Sequence, residues 1–334
     1  MTNRHAAVAG VLLAFAGCAF AFGPEGHQTV GRLADTLIAG TPAETQVRKI
    51  LGMSLQKASV WADCAKGVDR SMKTGKFAYA RAGTFHECKP FETQAGTAAM
   101  VAYVRRNWHG CHPAAGEEVC HKQYHYADVA IQHDHYERGF VGTSDHDVVA
   151  AINAAIVTLK GGTAAPPFKF ANKAEALKLL VHFVGDIHQP LHVEAVYLDK
   201  QGAETDPDQG VFDRQTRTIG GNSITDAGVN LHHEWDTVPA SLTPGRLGID
   251  GVAEARAVPP TTGDPMTWST QWATDTIHSA GVAFEGTSFS YESASKHWKV
   301  TVPASYASDR EALQRAQLIK AGARLAQTLQ AIWP

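Results

Sequence analysis

The chain has 334 residues, of which 44% are hydrophobic and 19% are charged, and its formal net charge is −3. These values are ordinary for a folded soluble protein and exclude a low-complexity or strongly basic chain. Bulk charge would therefore not hold a nucleic acid on this protein. Any phosphate-binding site must be formed locally, and bound metal ions are often the largest positive charges in such a site.

The N-terminus has the pattern of a secretory signal peptide. Arg4 precedes an apolar run over residues 6–15, and Ala19-Phe20-Ala21 fits the small-x-small cleavage rule. Residues 1–21 are therefore expected to be removed, which leaves a secreted or periplasmic protein that begins at Phe22. Lipoprotein processing at Cys18 is the alternative. The apolar run is too short to span a bilayer, and no later segment reaches the required length.

Four cysteines remain after this cleavage: Cys64, Cys88, Cys111 and Cys120. An even number in an oxidising compartment predicts two disulfides, whose pairing the sequence leaves open. Residues 64–123 also hold several Gly, Pro and His residues and are difficult to assign to regular structure. We interpret them as a disulfide-stapled excursion. A zinc knuckle is the alternative, although its paired C-x-x-C spacing is missing.

Apolar residues recur at helical spacing in residues 30–38, 45–55, 145–159 and 174–187. His27 then lies at the entrance to the first helix, and Asp63 follows the second helix. Asp145 is available to cap the third helix. Residues 124–129 alternate like a short extended segment. A last helix near residues 318–332 carries a core-forming stripe.

Residues 197–229 read as a loop containing a small β-hairpin, with Gly220-Gly221 as its two-residue turn. The acidic residues of this loop could suggest calcium, but they lack the spacing of an EF-hand, so a solvated loop is the better interpretation. The sequence shows no internal repeat and no domain boundary. We therefore predict one mainly helical, all-α domain over residues 22–334.

Two His/Asp pairs have the spacing of metal ligands. His182 and Asp186 are four residues apart, so a helix places them on one face, one turn from each other. Pro190 cannot continue this helix, which leaves His192 just past its end and free to turn toward a second metal. His232 and Asp236 repeat the four-residue spacing. A lone histidine is more often a core residue, but this combination of imidazoles and carboxylates suits zinc.

Five segments in chain order carry a family resemblance: W-A-D, H-Y-x-D, V-H-F-x-G-D-I-H-Q-P-L-H, G-G-N and N-L-H-x-x-W-D. Together they resemble the zinc-dependent single-strand nucleases of the P1 nuclease family, which is related in fold to bacterial zinc phospholipase C. The resemblance runs from Phe22 to the C-terminal helix. It implies a mostly helical fold with three zinc ions in a cleft.

The resemblance also implies which residues hold each ion. One zinc would be held by Asp63, His125, His182 and Asp186, and another by His192, His232 and Asp236. The third would be held by His27, by Asp186 as a bridge, and by the backbone amine and carbonyl of Phe22. The family usually has Trp at this first position. Choosing His125 over His86 rests on Tyr126 and Asp128, which follow His125.

Phosphodiester hydrolysis to a 5′-phosphate is the implied reaction, with Asp63, Asp186 and Lys66 as catalytic groups. Lys66 stands where the family often has Arg, so it keeps the positive charge but loses the bidentate fork. Tyr126 would stack on a base and Asp128 would accept its edge, so the expected partner is single-stranded RNA or DNA. No stable protein partner is implied. The alternatives are a phospholipase C and a non-catalytic zinc-binding protein.

Overall fold

The computed structural model describes residues 22–334, so the predicted signal peptide, its cleavage after Ala21 and the alternative at Cys18 lie outside the described residues. The described chain is mainly helical, as predicted. Its α-helices are α1 Pro24–Leu37, α2 Pro42–Leu51, α3 Leu55–Ala58, α4 Trp61–Ala65, α5 Gln94–Arg106, α6 Cys120–Gln123, α7 Val148–Leu159, α8 Lys173–Asp186, α9 Leu231–Asp236, α10 Leu247–Asp250, α11 Val252–Ala257, α12 Pro265–Ala280 and α13 Tyr306–Ile332. Its strands are β1 Val68–Arg70, β2 Phe77–Tyr79, β3 Val129–Ala130, β4 Glu194–Ala195, β5 Ile224–Asp226, β6 Val229–Asn230, β7 Ser288–Glu292 and β8 His297–Thr301. No helix within residues 22–334 combines the length and the apolar character needed to cross a membrane.

Helix α8 lies at the centre of the core. Asn172 caps its N-terminus by accepting a hydrogen bond from the amide of Glu175 at 2.9 Å. The helix is buried on nearly all sides from Glu175 to its end, because α1, α4, α7 and α13 pack around it. A helix that is mainly apolar all round is expected to be buried in this way. As a result, His182 and Asp186 lie inside the protein, away from bulk water.

Several predicted boundaries were wrong. The first helix begins at Pro24, which suits the first helical position, so His27 lies inside α1 rather than at its entrance. The predicted helix over residues 45–55 is two helices, because Gly52 ends α2 in the left-handed conformation with φ 63°. The cap of α7 is Asp147, which accepts from the amide of Ala150 at 3.1 Å, and not Asp145.

The small hairpin exists, but its predicted turn was wrong. Gly220 and Gly221 belong to a run of left-handed residues that begins at Ile219, with φ values of 56°, 52° and 83° for residues 219, 220 and 221. The two-residue turn is Ala227-Gly228, which joins β5 to β6 with both residues at positive φ, as a type I′ turn requires. Strand β5 also pairs in parallel with β8, which gives a sheet in the order β6-β5-β8-β7.

Residues 64–123 are more regular than expected, since they contain the β1–β2 hairpin and α5. The prediction of two disulfides is confirmed, with Cys64 bonded to Cys88 and Cys111 bonded to Cys120. Because all four cysteines are oxidised, they do not form a zinc knuckle. Both bonds anchor the excursion beside predicted ligands: Cys64 follows Asp63 directly, and Cys120 begins the short helix before His125. Residues 124–129, in contrast, are extended only at their end, in β3.

Candidate metal centre

Eight predicted ligand side chains converge in the interior from six separate segments. Each is no more than 5% exposed, and their ligand atoms form three groups, each within 4.8 Å. The groups are His27 with Asp63 and His182, His125 with His182 and Asp186, and His192 with His232 and Asp236. The eight are His27 on α1, Asp63 on α4, His125 after α6, His182 and Asp186 on α8, His192 in the 3₁₀ turn Pro190–His192, and His232 and Asp236 on α9. The third group is the same as one that the family resemblance implies, whereas the first two share His182.

Histidines of the first two groups surround Asp186. His125 Nδ1 and His182 Nε2 lie 3.0 and 3.4 Å from Asp186 Oδ2, while His27 Nε2 lies 3.3 Å from Asp186 Oδ1. His182 Nε2 is also 3.4 Å from Asp63 Oδ1. The two oxygens of Asp186 therefore face different histidines. This is the arrangement expected of a carboxylate that bridges two cations.

The third group holds two imidazole nitrogens that face each other. His192 Nδ1 donates to the carbonyl of His125 at 2.8 Å, and His232 Nδ1 donates to the carbonyl of Gly220 at 2.6 Å. A carbonyl cannot donate, so Nδ1 carries the ring proton in both residues and each Nε2 carries a lone pair. The two Nε2 atoms are only 3.0 Å apart, and Asp236 Oδ2 lies 3.6 Å from the second of them. A cation between these atoms would relieve the repulsion between the lone pairs.

Backbone and amide groups orient these ligands from behind. His182 Nδ1 donates to the carbonyl of Ser59 at 2.7 Å, and Gln189 Nε2 donates to Asp236 Oδ1 at 2.8 Å. Metal-ligating histidines usually donate their other ring N–H to a carbonyl or carboxylate, which fixes the tautomer and the ring orientation. His182, His192 and His232 all have this feature.

Burial keeps most of these imidazoles neutral. Desolvation is the largest cause that holds the pKa of His125 and that of His192 well below the usual value, and it lowers the pKa of His232 to about 4. The pKa of His27 is lowered for the same reason. A neutral imidazole has a lone pair to donate, which is the form that binds a metal.

Asp63 is paired with a lysine at the edge of the cluster. Lys66 Nζ lies 2.8 Å from Asp63 Oδ1, and the lysine side chain is 10% exposed. Burial raises the pKa of Asp63, but the charges of Lys66 and His182 outweigh it, so the pKa falls far below the usual value. Burial lowers the pKa of Lys66, and Asp63 and Asp186 outweigh that effect. Both side chains are therefore ionised near neutral pH.

Phe22, the predicted first mature residue, lies beside this cluster. Its side chain is fully buried in the main hydrophobic core. The amide of Gly23 donates to the carbonyl of Asp236 at 2.7 Å, which fixes the chain next to the third group. The Phe22 side chain also packs closely on Gly26, where an added Cβ would lie 2.7 Å from Phe22 Cβ. The phenyl ring therefore occupies a well-packed position at this end of the chain.

Buried polar atoms without hydrogen-bond partners indicate whether a metal ion fits this site. Both ring nitrogens of His27, both carboxylate oxygens of Asp186 and Oδ2 of Asp236 are buried and accept or donate no hydrogen bond. Leaving one such group unpaired costs about 1–3 kcal/mol, and more when it is charged. Imidazole nitrogens and carboxylate oxygens are ligands that zinc prefers, and several of both are clustered here. The residues present therefore fit bound zinc.

A cavity of about 560 Å³ is lined in part by Tyr126, Arg217 and Glu117. Tyr126, the predicted stacking residue, is half-buried in its wall. Asp128 is 3% exposed, and Nη2 of Arg217 lies 3.4 Å from Oδ2 of Asp128. The predicted base-edge acceptor is thus partly covered by a guanidinium.

The sequence interpretation missed Gln189, Arg217 and the carbonyl of Ser59. Gln189 stands within the specific H-Q-P-L-H run, which was a signal that it has a role. Arg217 is 89 residues from Asp128 along the chain, and Ser59 is 123 residues from His182. No local spacing relates such partners.

His86 and His133 lie outside the candidate metal centre. His86, the alternative to His125, is exposed at the start of a 3₁₀ turn. His133 forms a fourth group with Asp206 and Asp208 in the partly exposed loop region. His133 Nε2 lies 2.8 Å from Asp208 Oδ2, so an ordinary hydrogen bond accounts for this contact.

Comparisons with known proteins show which family the chain belongs to. The family profile described as S1/P1 Nuclease matches residues 107–334. The chain is 35% identical over 127 residues to nuclease P1 of Penicillium citrinum and 33% identical over 127 residues to nuclease PA3 of Penicillium sp, each match covering 31% of this chain and 39% of the relative. It is 24% identical over 242 residues to nuclease S1 of Aspergillus oryzae, covering 69% of this chain and 58% of that relative. The chain thus spans about two fifths of the length of the first two relatives. Because the profile covers well over half of the chain, the protein belongs to the S1/P1 nuclease family.

Proposed function

We propose that this protein is a secreted, zinc-dependent nuclease that hydrolyses single-stranded RNA or DNA to products carrying 5′-phosphates. The observation that carries the proposal is the buried cluster of imidazole and carboxylate ligand atoms, several of which, on His27, Asp63, Asp186 and Asp236, lack hydrogen-bond partners. Relatives named nuclease P1, nuclease PA3 and nuclease S1 support phosphodiester hydrolysis as the reaction class.

The ligands would be shared among three zinc ions as the family resemblance implies. Asp63, His125, His182 and Asp186 would hold one ion, and His192, His232 and Asp236 another. His27, Asp186 and the backbone of Phe22 would hold the third. Bound zinc supplies Lewis acidity and lowers the pKa of a bound water, which is the chemistry that phosphodiester hydrolysis requires at neutral pH.

The protein's own groups would prepare the substrate for attack. The carboxylate of Asp63 stays ionised beside Lys66 at 2.8 Å, so it can accept a hydrogen bond from the attacking water and hold it in position. The ammonium of Lys66 adds positive charge where a phosphate would bind. Tyr126 would stack on a base, and stacking tolerates any sequence because every base has a π-face. Only an unpaired strand can present a base to such a pocket.

Secretion is supported by the two disulfides, which persist in oxidising compartments. The phospholipase C alternative is not favoured. A lipid substrate would require an apolar mouth, whereas the cavity wall includes Glu117, Glu118, Arg214 and Arg217. A purely structural zinc protein would not need Lys66 beside Asp63. The same assay separates all three functions.

The test uses purified secreted protein loaded with zinc. We expect release of acid-soluble nucleotides from RNA and heat-denatured DNA, no release of phosphocholine from lecithin, and three zinc ions per chain by elemental analysis. His182→Ala and Asp186→Asn should reduce turnover to background. His86→Ala is the matched control and should keep full activity, because His86 is exposed and belongs to none of the buried groups of candidate ligands. Phosphocholine release, or zinc binding without any nucleotide release, would refute the proposal.

A further inference from the structure

The cavity beside Tyr126 is lined by side chains of both charges. Two arginines, Arg214 and Arg217, and two glutamates, Glu117 and Glu118, all line it. Arg214 pairs with Glu117 at 2.5 Å, and Lys122 lies 3.7 Å from Glu118. Glu118, Asp128 and Arg217 all lie close enough to the Tyr126 hydroxyl to act on it electrostatically. A ligand seated on Tyr126 would therefore meet a strong hydrogen-bond donor as well as carboxylate acceptors.

Asp128 anchors Arg217 within this cavity. The backbone of Asp128 is fixed on both sides, since its amide donates to the carbonyl of Gly142 at 3.0 Å and its carbonyl accepts from the Tyr197 hydroxyl at 2.7 Å. Its carboxylate is 5% exposed, while the Arg217 side chain is 25% exposed. Among residues 22–334, the Arg217 guanidinium donates to Asp128 alone. The remaining N–H donors of Arg217 can therefore point into the cavity.

A planar guanidinium selects among bases because it only donates hydrogen bonds. Guanine presents two adjacent acceptors, O6 and N7, that match the guanidinium fork. Adenine places the N6 amino group, a donor, where guanine has O6, so a guanidinium would meet another donor there. Guanine also offers N1–H and the N2 amino group to a carboxylate such as Glu118. Guanine thus complements both signs of charge in the cavity.

A strained residue at the mouth gives independent support for a binding role. Ile219 lines the cavity, is 50% exposed and has φ 56°. A β-branched residue in the left-handed region is a genuine outlier that costs of order 1–3 kcal/mol, and such strain concentrates at functional sites. This conformation leaves the apolar side chain exposed at the cavity that Tyr126 also lines, where it can contact a bound ring.

We propose that Arg217 is a specificity-determining residue that makes this cavity prefer guanine to adenine. The inference rests on the proposed nuclease function and adds a base preference to it. A well-placed bidentate contact to a base discriminates by about 1–3 kcal/mol, which corresponds to about 5- to 150-fold. Any contribution from the phosphate is the same for both nucleotides and cancels in their ratio.

The experiment measures binding of guanosine and adenosine 5′-monophosphates to the zinc-loaded secreted protein by calorimetry. The wild type should bind the guanine nucleotide about 5- to 150-fold more tightly. Arg217→Ala should bring this ratio close to one. Arg217→Lys should also lose most of it, because a point charge does not match two adjacent acceptors. Arg48→Ala is the matched control, since Arg48 pairs with Glu44 on an exposed helix face, and it should keep the wild-type ratio.

Equal binding of the two nucleotides by the wild type, or an unchanged ratio in either Arg217 variant that folds, would overturn the proposal. Arg217→Lys keeps the positive charge beside Asp128, so it provides the test if Arg217→Ala does not fold. Binding is measured without hydrolysis, which separates the two proposals. Guanine preference without RNA cleavage would refute the nuclease function alone, whereas cleavage without preference would refute the role of Arg217 alone.

Discussion

The substitution Gly185→Ala tests the proposed role of His27 as a metal ligand, because the two residues are in close contact. Gly185 lies in α8 directly before Asp186, and a Cβ added there would lie 2.6 Å from His27 Nδ1 and 2.9 Å from Cε1. Contacts this short require the imidazole to move. The His27 ring is fully buried and stacks on His182 with ring centroids 3.8 Å apart, so it cannot move without leaving its position near Asp186.

The magnitudes separate an effect on metal binding from an effect on folding. Replacing Gly by Ala inside a helix gains about 1 kcal/mol from helix propensity, and overpacking a core costs about 1–3 kcal/mol. The Gly185→Ala protein without metal should therefore lose between about 0 and 2 kcal/mol, or less than about 8 °C in Tm. Displacing a ligand has a larger effect on zinc. We expect the variant to retain one zinc ion fewer per chain than the wild type.

The assay combines elemental analysis of the zinc-loaded protein with thermal melts of the metal-free protein. Gly322→Ala is the matched control, because a Cβ at Gly322 would lie 2.5 Å from Leu33 Cβ, between α13 and the same helix that carries His27. This control creates a comparable clash with an aliphatic side chain and should keep the full zinc content. A Gly185→Ala protein with the full zinc content would refute the assignment of His27 as a ligand.

Three further predictions concern the rest of the site. Tyr126→Ala should raise the KM for single-stranded nucleic acid by about 5- to 150-fold with a smaller effect on kcat, as steady-state kinetics can check, because stacking is worth roughly 1–3 kcal/mol per base. Gln189→Ala should weaken zinc at one site by about 10- to 100-fold in a chelator competition, because it removes the hydrogen bond to Asp236 Oδ1; unchanged competition would show that this contact does not orient the ligand. A mature chain with one Gly added before Phe22 should lose one zinc ion and most activity, because its Phe22 nitrogen becomes an amide; equal zinc content in the two forms would argue against ligation by the N-terminus.

The close approach of His to Asp on α8 and on α9 could be predicted because helix geometry is local. A spacing of four residues places His182 beside Asp186 and His232 beside Asp236 whatever the rest of the chain does. His27, Asp63 and His125 stand on three other segments, and only the family resemblance related them to α8. Ligand spacing alone would therefore have given an incomplete centre.

The β-structure was harder to place for a related reason. A Gly-Gly pair between two short apolar runs is a turn signal, but the pairing of β5 depends on β8, whose residues lie more than 70 positions further along the chain. Tertiary pairing of β5 with β8 fixed where the strand begins, and Ala227-Gly228 supplied the turn. Gly220 and Gly221 instead belong to a tight segment beside the candidate metal centre, where the Gly220 carbonyl accepts from His232.

Position 220 requires a glycine, and it lies between the candidate metal-binding residues and the proposed base pocket. Its carbonyl accepts the Nδ1–H of His232 at 2.6 Å. With φ 52°, its α-carbon faces the other way, where a Cβ would lie 2.5 Å from the carbonyl oxygen of Leu191 and 3.4 Å from Asp128 Oδ1. Arg217 stands only three residues earlier. Three peptide units therefore connect Gly220, whose carbonyl orients the proposed ligand His232, to Arg217 in the proposed base pocket.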